Sequence, residues 1–326
     1  MITVTAAIIE KDGLILAARR RPGSHLAGYW EFPGGKLEAG ETEKECLARE
    51  LREEFDIHCR VGDFLAESIY DDGLKVIRLL GYRVRHLGGS FHCRDHDRIV
   101  WLPVDRLRTL TWAPADIVLV EAIQAENQIE ATLTYYRDNA ETYIRETIDL
   151  AGHQPMRRRF LELLAPDSLL LDLGCGSGRD SRYFLDLGHR VTAVDAVAAI
   201  AECAATYLGQ PVRVQKAEDL DETAIYDGVW ACAGLLHIPR SRIEATFARI
   251  IRALRPRGIW YMSFKKGESA GQDAKGRYFN NYTIPMMQQL LGHFPQLHIL
   301  EISESSAPLR GEKQQWLNIL VVKKEE

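Results

Sequence analysis

The stretch that most constrains the fold lies between residues 169 and 194. It reads Leu169-Leu170-Leu171-Asp172-Leu173-Gly174-Cys175-Gly176-Ser177-Gly178, followed by a helical segment, Ser181–Leu187, and a second apolar run, Val191–Val194. Strand, glycine-rich turn, helix and strand in this order predict a parallel sheet covered by helices on both faces, because near-continuous apolar strands must be buried on both sides. The three glycines permit close backbone approach to a ligand at a helix N-terminus. A dinucleotide fingerprint would run GxGxxG, but residue 179 is Arg. Asp172 offers a carboxylate suited to an ammonium group. Asp195, at the end of the next strand, is placed to hold ribose hydroxyls by the logic of dinucleotide folds.

The first half follows another pattern. Apolar runs at 3–9 and 14–18 flank Asp12-Gly13 and predict a hairpin. The loop Glu31-Phe32-Pro33-Gly34-Gly35 leads to an acidic helix from about Thr42 to Phe55, and Thr42 with Glu45 fits a capping box. Strand-like runs follow at 64–70, 74–84 and 98–102, so the sheet is expected to be antiparallel or mixed. Pro114 is expected to start a helix to about Asn127, and 129–149 to form further helix, including Tyr135-Tyr136-Arg137-Asp138-Asn139-Ala140. Two domains are expected, 1–127 and 128–326.

Glu50, Glu53 and Glu54 share one face of the acidic helix at ~100° per residue, beside a stripe of Leu47, Leu51 and Phe55. Three carboxylates within one turn repel unless a cation neutralises them. Hard divalent cations such as Mg²⁺ prefer oxygen ligands and also bind substrate phosphates. Arg49 and Glu41 can orient a glutamate from either side. A solvated acidic helix is the bland alternative.

The net charge is −5, with −4 in the first 127 residues and −1 in the remainder, so neither half is the basic surface that duplex nucleic acid favours. Six cysteines without a CxxC pair match reduced cytosolic usage rather than a disulfide framework or zinc site. No apolar run approaches the ~18 residues of a membrane span, and Met1-Ile2-Thr3-Val4 does not resemble a signal peptide. A cytoplasmic protein without a membrane partner is expected; oligomeric state is not legible.

Gly35, Glu41, Arg49, Glu50, Leu51, Glu53 and Glu54 fit the Nudix pattern GX5EX7REUXEEXGU, with Asp56 standing where the late glycine belongs. The first half thus resembles Nudix hydrolases, which implies an α/β/α sandwich with a mixed sheet. The resemblance further implies Mg²⁺ (or Mn²⁺) held by Gly35, Glu50, Glu53 and Glu54, with Glu53, Glu54 and Arg49 as catalytic residues. A family base often lies just before a strand ending in Trp; here Arg94-Asp95-His96 precedes Ile99-Val100-Trp101, which makes Asp95 the candidate. His25–Lys36 resembles the mutator-type branch, and Trp112-Ala113-Pro114-Ala115-Asp116-Ile117 is similar to the CTP pyrophosphohydrolase subgroup. Asp116 can accept from an exocyclic amino group such as cytosine N4 or cap the helix that follows. Phe32 can stack on the base or belong to the core.

Residues 169–195, with Tyr226-Asp227-Gly228-Val229-Trp230 and Leu254-Arg255-Pro256-Arg257-Gly258, resemble class I S-adenosylmethionine methyltransferases with a Rossmann-like fold. That resemblance implies a donor site built from Asp172, Gly174, Cys175, Gly176, Gly178 and Asp195. Lys216 stands where many members contact adenine with Asp, which shifts that role to Ala217, Glu218 or Asp219. Ala231-Cys232-Ala233-Gly234 replaces the loop of N6-adenine enzymes, and no Pro-Cys nucleophile of cytosine-C5 enzymes is found. His237 is read either as a general base or as a structural histidine. Lys265, Arg277-Tyr278-Phe279, Arg310 and Lys313 fall in segments capping the acceptor side, where Arg277 and Arg310 would suit an anionic acceptor. The expectation is a bifunctional enzyme acting on a nucleoside triphosphate and on a small, anionic or nucleotide-derived methyl acceptor. The competing reading makes the Nudix half a nucleotide-sensing module of a methyltransferase acting on a small molecule, RNA or protein.

Overall fold

The computed structural model describes residues 1–73, 75–149, 154–309 and 312–325. The chain divides into two compact units, Met1–Asn127 and Gln128–Glu326.

Unit 1 contains β1 (Ile2–Lys11), β2 (Leu14–Arg20), β3 (Trp30–Glu31), α1 (Glu43–Phe55), β4 (His58–Asp71), β5 (Val76–Gly88) and β6 (His96–Pro103). The sheet runs β3-β2-β1-β5-β4, with β6 also paired to β2. β1 is parallel to β5 and antiparallel to β2, so the sheet is mixed. The hairpin turn at Asp12-Gly13 has φ of 52° and 75°, the left-handed pair that a two-residue turn between twisted strands requires. The period of two in Ala6-Ala7-Ile8-Ile9 makes this a sandwich. Ala6 and Ile8 pack with Leu119, Val120 and Ile123 on one face. Ala7 and Ile9 pack with Leu47, Leu51 and Phe55 of α1 on the other.

Two features of α1 come straight from its sequence. Thr42 forms a complete capping box with Glu45, and Asp56 ends the helix at φ 57°, its N–H donating to Arg52 O at 3.0 Å. Asp thus fills the left-handed position that glycine usually takes. The expected helices after Pro114 differ in detail. Pro114–Asp116 forms a 3-10 turn, and α2 (Ile117–Asp138) continues for 22 residues before α3 (Ala140–Thr147). Nothing between 117 and 138 is Gly or Pro, so polar Asn127-Gln128 marks no break.

Unit 2 continues with α4 (Gln154–Leu161), β7 (Leu169–Leu173), α5 (Arg179–Asp186), β8 (Arg190–Asp195), α6 (Ala198–Leu208), β9 (Arg213–Val214), β10 (Tyr226–Ala231), α7 (Arg240–Ala253) and β11 (Leu254–Lys265). It closes with β12 (Ala270–Gln272), β13 (Tyr278–Asn280), α8 (Ile284–Gly292), β14 (Leu297–Leu309) and β15 (Glu312–Lys323). The large sheet has the order β14-β15-β11-β10-β7-β8-β9. The pairs from β11 to β9 are parallel, and β15 and β14 close one edge in antiparallel pairing. Strand order reverses beside β7, and in open α/β sheets the crevice at such a switch point, beyond the carboxyl ends of the strands, is where ligands bind.

Candidate active sites

In unit 1, α1 lifts its carboxylates from a buried apolar stripe. Arg49 sits among them: Nη2 donates to Glu41 at 2.8 Å, and Nη1 donates to Glu50 at 3.0 Å and Glu53 at 3.1 Å. The Arg49 guanidinium holds the Glu41 carboxyl down at about 2. Glu50 rests against the loop at Gly35. A Cβ at position 35 would stand 2.0 to 2.4 Å from the Glu50 carboxylate atoms, so glycine is what leaves the space.

Glu54 is the member under electrostatic stress. It is 9% exposed, and its Oε2 has no hydrogen-bond partner. Burial first, then the charges of Glu31, Glu50 and Asp95, push its carboxyl up to about 8. A buried carboxylate oxygen without a donor, ringed by other carboxylates, fits a hard divalent cation. Among the described residues no three His, Cys, Asp or Glu side chains already converge as a ligand set, since Arg49 bridges Glu41, Glu50 and Glu53. Glu50, Glu53 and Glu54, with the Gly35 loop beside them, are the groups that would hold the ion.

Asp95 is an exposed loop residue, its side chain 3.5 Å from Arg21, whose charge nonetheless reaches Glu54. Sequence reasoning missed Glu31. That side chain is paired to Arg20, and its Oε1 lies 2.8 Å from His96 Nε2. Glu31 precedes Phe32-Pro33-Gly34-Gly35, so its place in the loop was visible, but only the fold brings it toward Glu54. Asp116 is buried, and its Oδ1 accepts from the Phe32 N–H at 2.8 Å, a bond across the unit rather than to its own helix. Burial lifts its carboxyl well above the ordinary range. Phe32 is a core residue whose ring lies 4.6 Å from that of Trp112.

In unit 2 the glycine loop leaves β7 with Gly174, Gly176 and Gly178 at φ 77°, 56° and 78°. Asp195 organises it: Oδ2 accepts from Gly176 N at 3.1 Å and Oδ1 from Val197 N at 2.9 Å. Asp172 is buried beneath the loop and accepts from Ser181 Oγ at 2.6 Å. Burial pushes Asp172 up to about 7, helped by the Asp180 charge, and Asp195 up to about 6. A cleft opens over the loop. Gly174, Asp195, Ala217 and Glu218 line it, together with Lys216, whereas Asp219 is not among the lining residues. Cys175 is buried in the loop. A Cβ on Gly176 would meet Tyr143 Oη at 2.8 Å, which brings a tyrosine of α3 to the donor loop, a neighbour that sequence spacing does not reveal. These groups fit a cationic, ribose-bearing donor.

The same cleft is lined by Tyr136 and His237. Arg277 lies nearby, chelated by Asp273 at 2.6 and 3.0 Å and set over the Tyr135 and Phe279 rings at 4.8 and 5.0 Å. Lys265 Nζ is 3.5 Å from the Phe279 ring centroid. Arg310 lies outside the described residues, as do the side-chain surroundings of Lys313.

A carboxylate-bearing helix suited to a divalent cation, and a glycine loop suited to an adenosyl donor, define a two-unit hydrolase and transferase. Residues 1–123 match the family described as NUDIX domain, and residues 170–258 match the one described as Methyltransferase domain. The CTP pyrophosphohydrolase of Escherichia coli (strain K12) is 42% identical over 125 residues, which are 38% of this chain and 93% of that protein. A putative 8-oxo-dGTP diphosphatase 2 of Mycobacterium tuberculosis (strain CDC 1551 / Oshkosh) is 42% identical over 118 residues, 35% of this chain and 82% of that protein. The 1,6-didemethyltoxoflavin-N1-methyltransferase of Burkholderia thailandensis superposes with a TM-score of 0.53 at 24% identity, covering 62% of this chain and 91% of that chain, and shows the fold of unit 2. The chain belongs to the Nudix family through its first unit and carries a methyltransferase domain in its second. Among the described residues no helix is long and apolar enough to cross a membrane.

Proposed function

We propose that unit 1 hydrolyses a nucleoside triphosphate to the monophosphate and pyrophosphate, and that unit 2 transfers the methyl group of S-adenosylmethionine to a small acceptor. The observation that carries the first half is the buried, unpartnered Glu54 Oε2 at the centre of a carboxylate cluster. A divalent cation supplies charge neutralisation of the diphosphate and a more acidic water. The chain's own part is positional. Arg49 fixes Glu41, Glu50 and Glu53 in one arc. Glu54, buried without a partner among other carboxylates, is the group whose negative charge a cation held there would stabilise. Asp95, exposed and ion-paired with Arg21, is the candidate base, and it would have to leave that pair to act on a water.

Cytidine or oxidised purine nucleotides are the substrate class we assign, from the likeness to the two relatives named above. Asp116 supports a base-reading role: its carboxyl is buried and oriented by Phe32 N–H rather than spent on a helix cap.

Pyrophosphate release from a nucleotide panel with Mg²⁺ tests this reading. Glu53→Gln and Glu54→Gln should each lower turnover by about 10²-fold or more, because each removes a major electrostatic stabiliser of the reacting phosphates. Unchanged turnover in both variants would sink the assignment. A panel that yields no pyrophosphate, yet shows nucleotide binding, would make unit 1 a sensor.

A further inference from the structure

We propose that Tyr136 and His237 form a proton relay that deprotonates the methyl acceptor, so that the acceptor is a protic O–H or N–H nucleophile; this rests on the methyltransferase reading of unit 2. The hydrogen bonds determine the direction of the relay. His237 Nδ1 lies 2.7 Å from the backbone carbonyl oxygen of Tyr278. A carbonyl oxygen can only accept, so Nδ1 carries the ring proton and Nε2 presents a lone pair. Tyr136 Oη is 2.9 Å from that Nε2, so the tyrosine hydroxyl donates to it. Arg277 also donates to the Tyr136 hydroxyl, which leaves one lone pair of Oη to accept a hydrogen from a ligand, and both residues line the same cleft as Gly174 and Asp195 of the donor site.

The surroundings keep the pair in this state. Burial first, then the cations Arg277 and Lys265, hold His237 down at about 4, with the Tyr278 carbonyl and Asp273 opposing them, so the imidazole is neutral and able to accept. Burial pushes the Tyr136 phenol up to about 12, while Arg277 works against that rise and Tyr135 and Asp195 add to it. The step balances. The acceptor heteroatom forms a bond to the methyl carbon as the sulfonium carbon–sulfur bond breaks, and that electron pair stays on sulfur as a neutral thioether. The acceptor proton passes to Tyr136 Oη while the tyrosine proton passes to His237 Nε2. One positive charge moves from sulfonium to imidazolium and then leaves to water. A negative charge elsewhere on the acceptor would offset Arg277 and Lys265 and ease the formation of that imidazolium.

The test uses the full chain with S-adenosylhomocysteine bound. Nitrogen-15 NMR of His237 should show the neutral Nδ1–H tautomer. Methyl-labelled S-adenosylmethionine is then incubated with a deproteinised small-molecule extract as the acceptor pool, from pH 5 to 9. Tyr136→Phe keeps the ring and its packing 5.4 Å from Tyr135 and 5.2 Å from Tyr143. Tyr136→Phe and His237→Gln should each transfer label about 10²-fold more slowly across that range, the size of a general-base contribution, while wild type, with His237 already neutral above pH 5, should keep a flat relay rate. S-adenosylhomocysteine affinity should stay within about threefold, which a collapsed site would not allow. An Nε2–H tautomer, or label transfer within threefold of wild type in both variants, overturns the relay and leaves the methyltransferase reading standing. A wild-type protein that transfers no label to the extract overturns that reading, and the relay with it.

Discussion

Glu54 shows how one side chain can hold strain that only a ligand relieves. Its folded-state carboxyl stands at about 8 against an ordinary 4.5, so ionising it costs the folded protein more than the unfolded chain. That cost is absent below about pH 4.5, grows as pH rises and is complete above 8. The metal-free protein should therefore melt at lower temperature at pH 8 than at pH 5.5 in the transition of unit 1, and Mg²⁺ should restore the loss. Glu54→Gln should raise the metal-free melting temperature at pH 8 by a few degrees and remove most of the Mg²⁺ effect, as followed by calorimetry. Gly35 makes the complementary case. In Gly35→Ala the new Cβ collides with the mobile end of Glu50 and not with backbone. Stability should change by less than about 1 kcal/mol, since a flexible side chain can move away, while pyrophosphate release should fall at least tenfold because Glu50 can no longer seat there.

At the scale of elements, the donor site is a strand end, a loop and two helix starts held by one carboxylate. Asp195 receives the N–H groups of Gly176 and Val197, so it shapes the loop at the mouth of the cleft it lines. Asp195→Ala leaves two buried donors unsatisfied, a cost of about 1–3 kcal/mol each, and S-adenosylhomocysteine affinity should fall more than tenfold by titration calorimetry. If Asp172 and Asp195 hold the donor, binding should also be pH-dependent. Both are raised by burial, to about 7 and about 6, and a donor carrying an ammonium group favours their ionised forms. Affinity should therefore weaken as pH falls from 7.5 through 6. Invariant affinity over that range would remove these carboxylates from the site.

For the molecule as a whole, each unit has its own core and its own chemistry. Glu54→Gln should leave S-adenosylhomocysteine affinity within about twofold, and Asp195→Ala should leave pyrophosphate release within about twofold, because no residue of one site belongs to the other. Cross-effects of tenfold would show that the two sites are energetically coupled. The architecture of each unit was legible from pattern. The period of two in β1 put alternate residues on two faces, and the strand–glycine–helix unit at 169–194 required a covered parallel sheet. Helix limits were less legible: α2 runs on through Asn127-Gln128, because polarity alone does not stop a helix that lacks Gly or Pro.

What the sequence determined by itself was local. The capping box at Thr42, the left-handed exit at Asp56, the shared face of Glu50, Glu53 and Glu54 and the glycine turn after Leu173 all follow from spacing within one turn or one strand. Groups separated along the chain were decided only by tertiary structure. Glu31 comes toward Glu54, Asp116 spends an oxygen on Phe32, Tyr143 abuts Gly176, and Tyr136 donates to His237 from 101 residues away. The physical reason is that intrahelical and turn contacts are fixed by backbone period, whereas burial and long-range hydrogen bonds depend on which elements the core brings together. The strained Glu54 carboxyl and the neutral His237 arise from that burial and from no residue type alone.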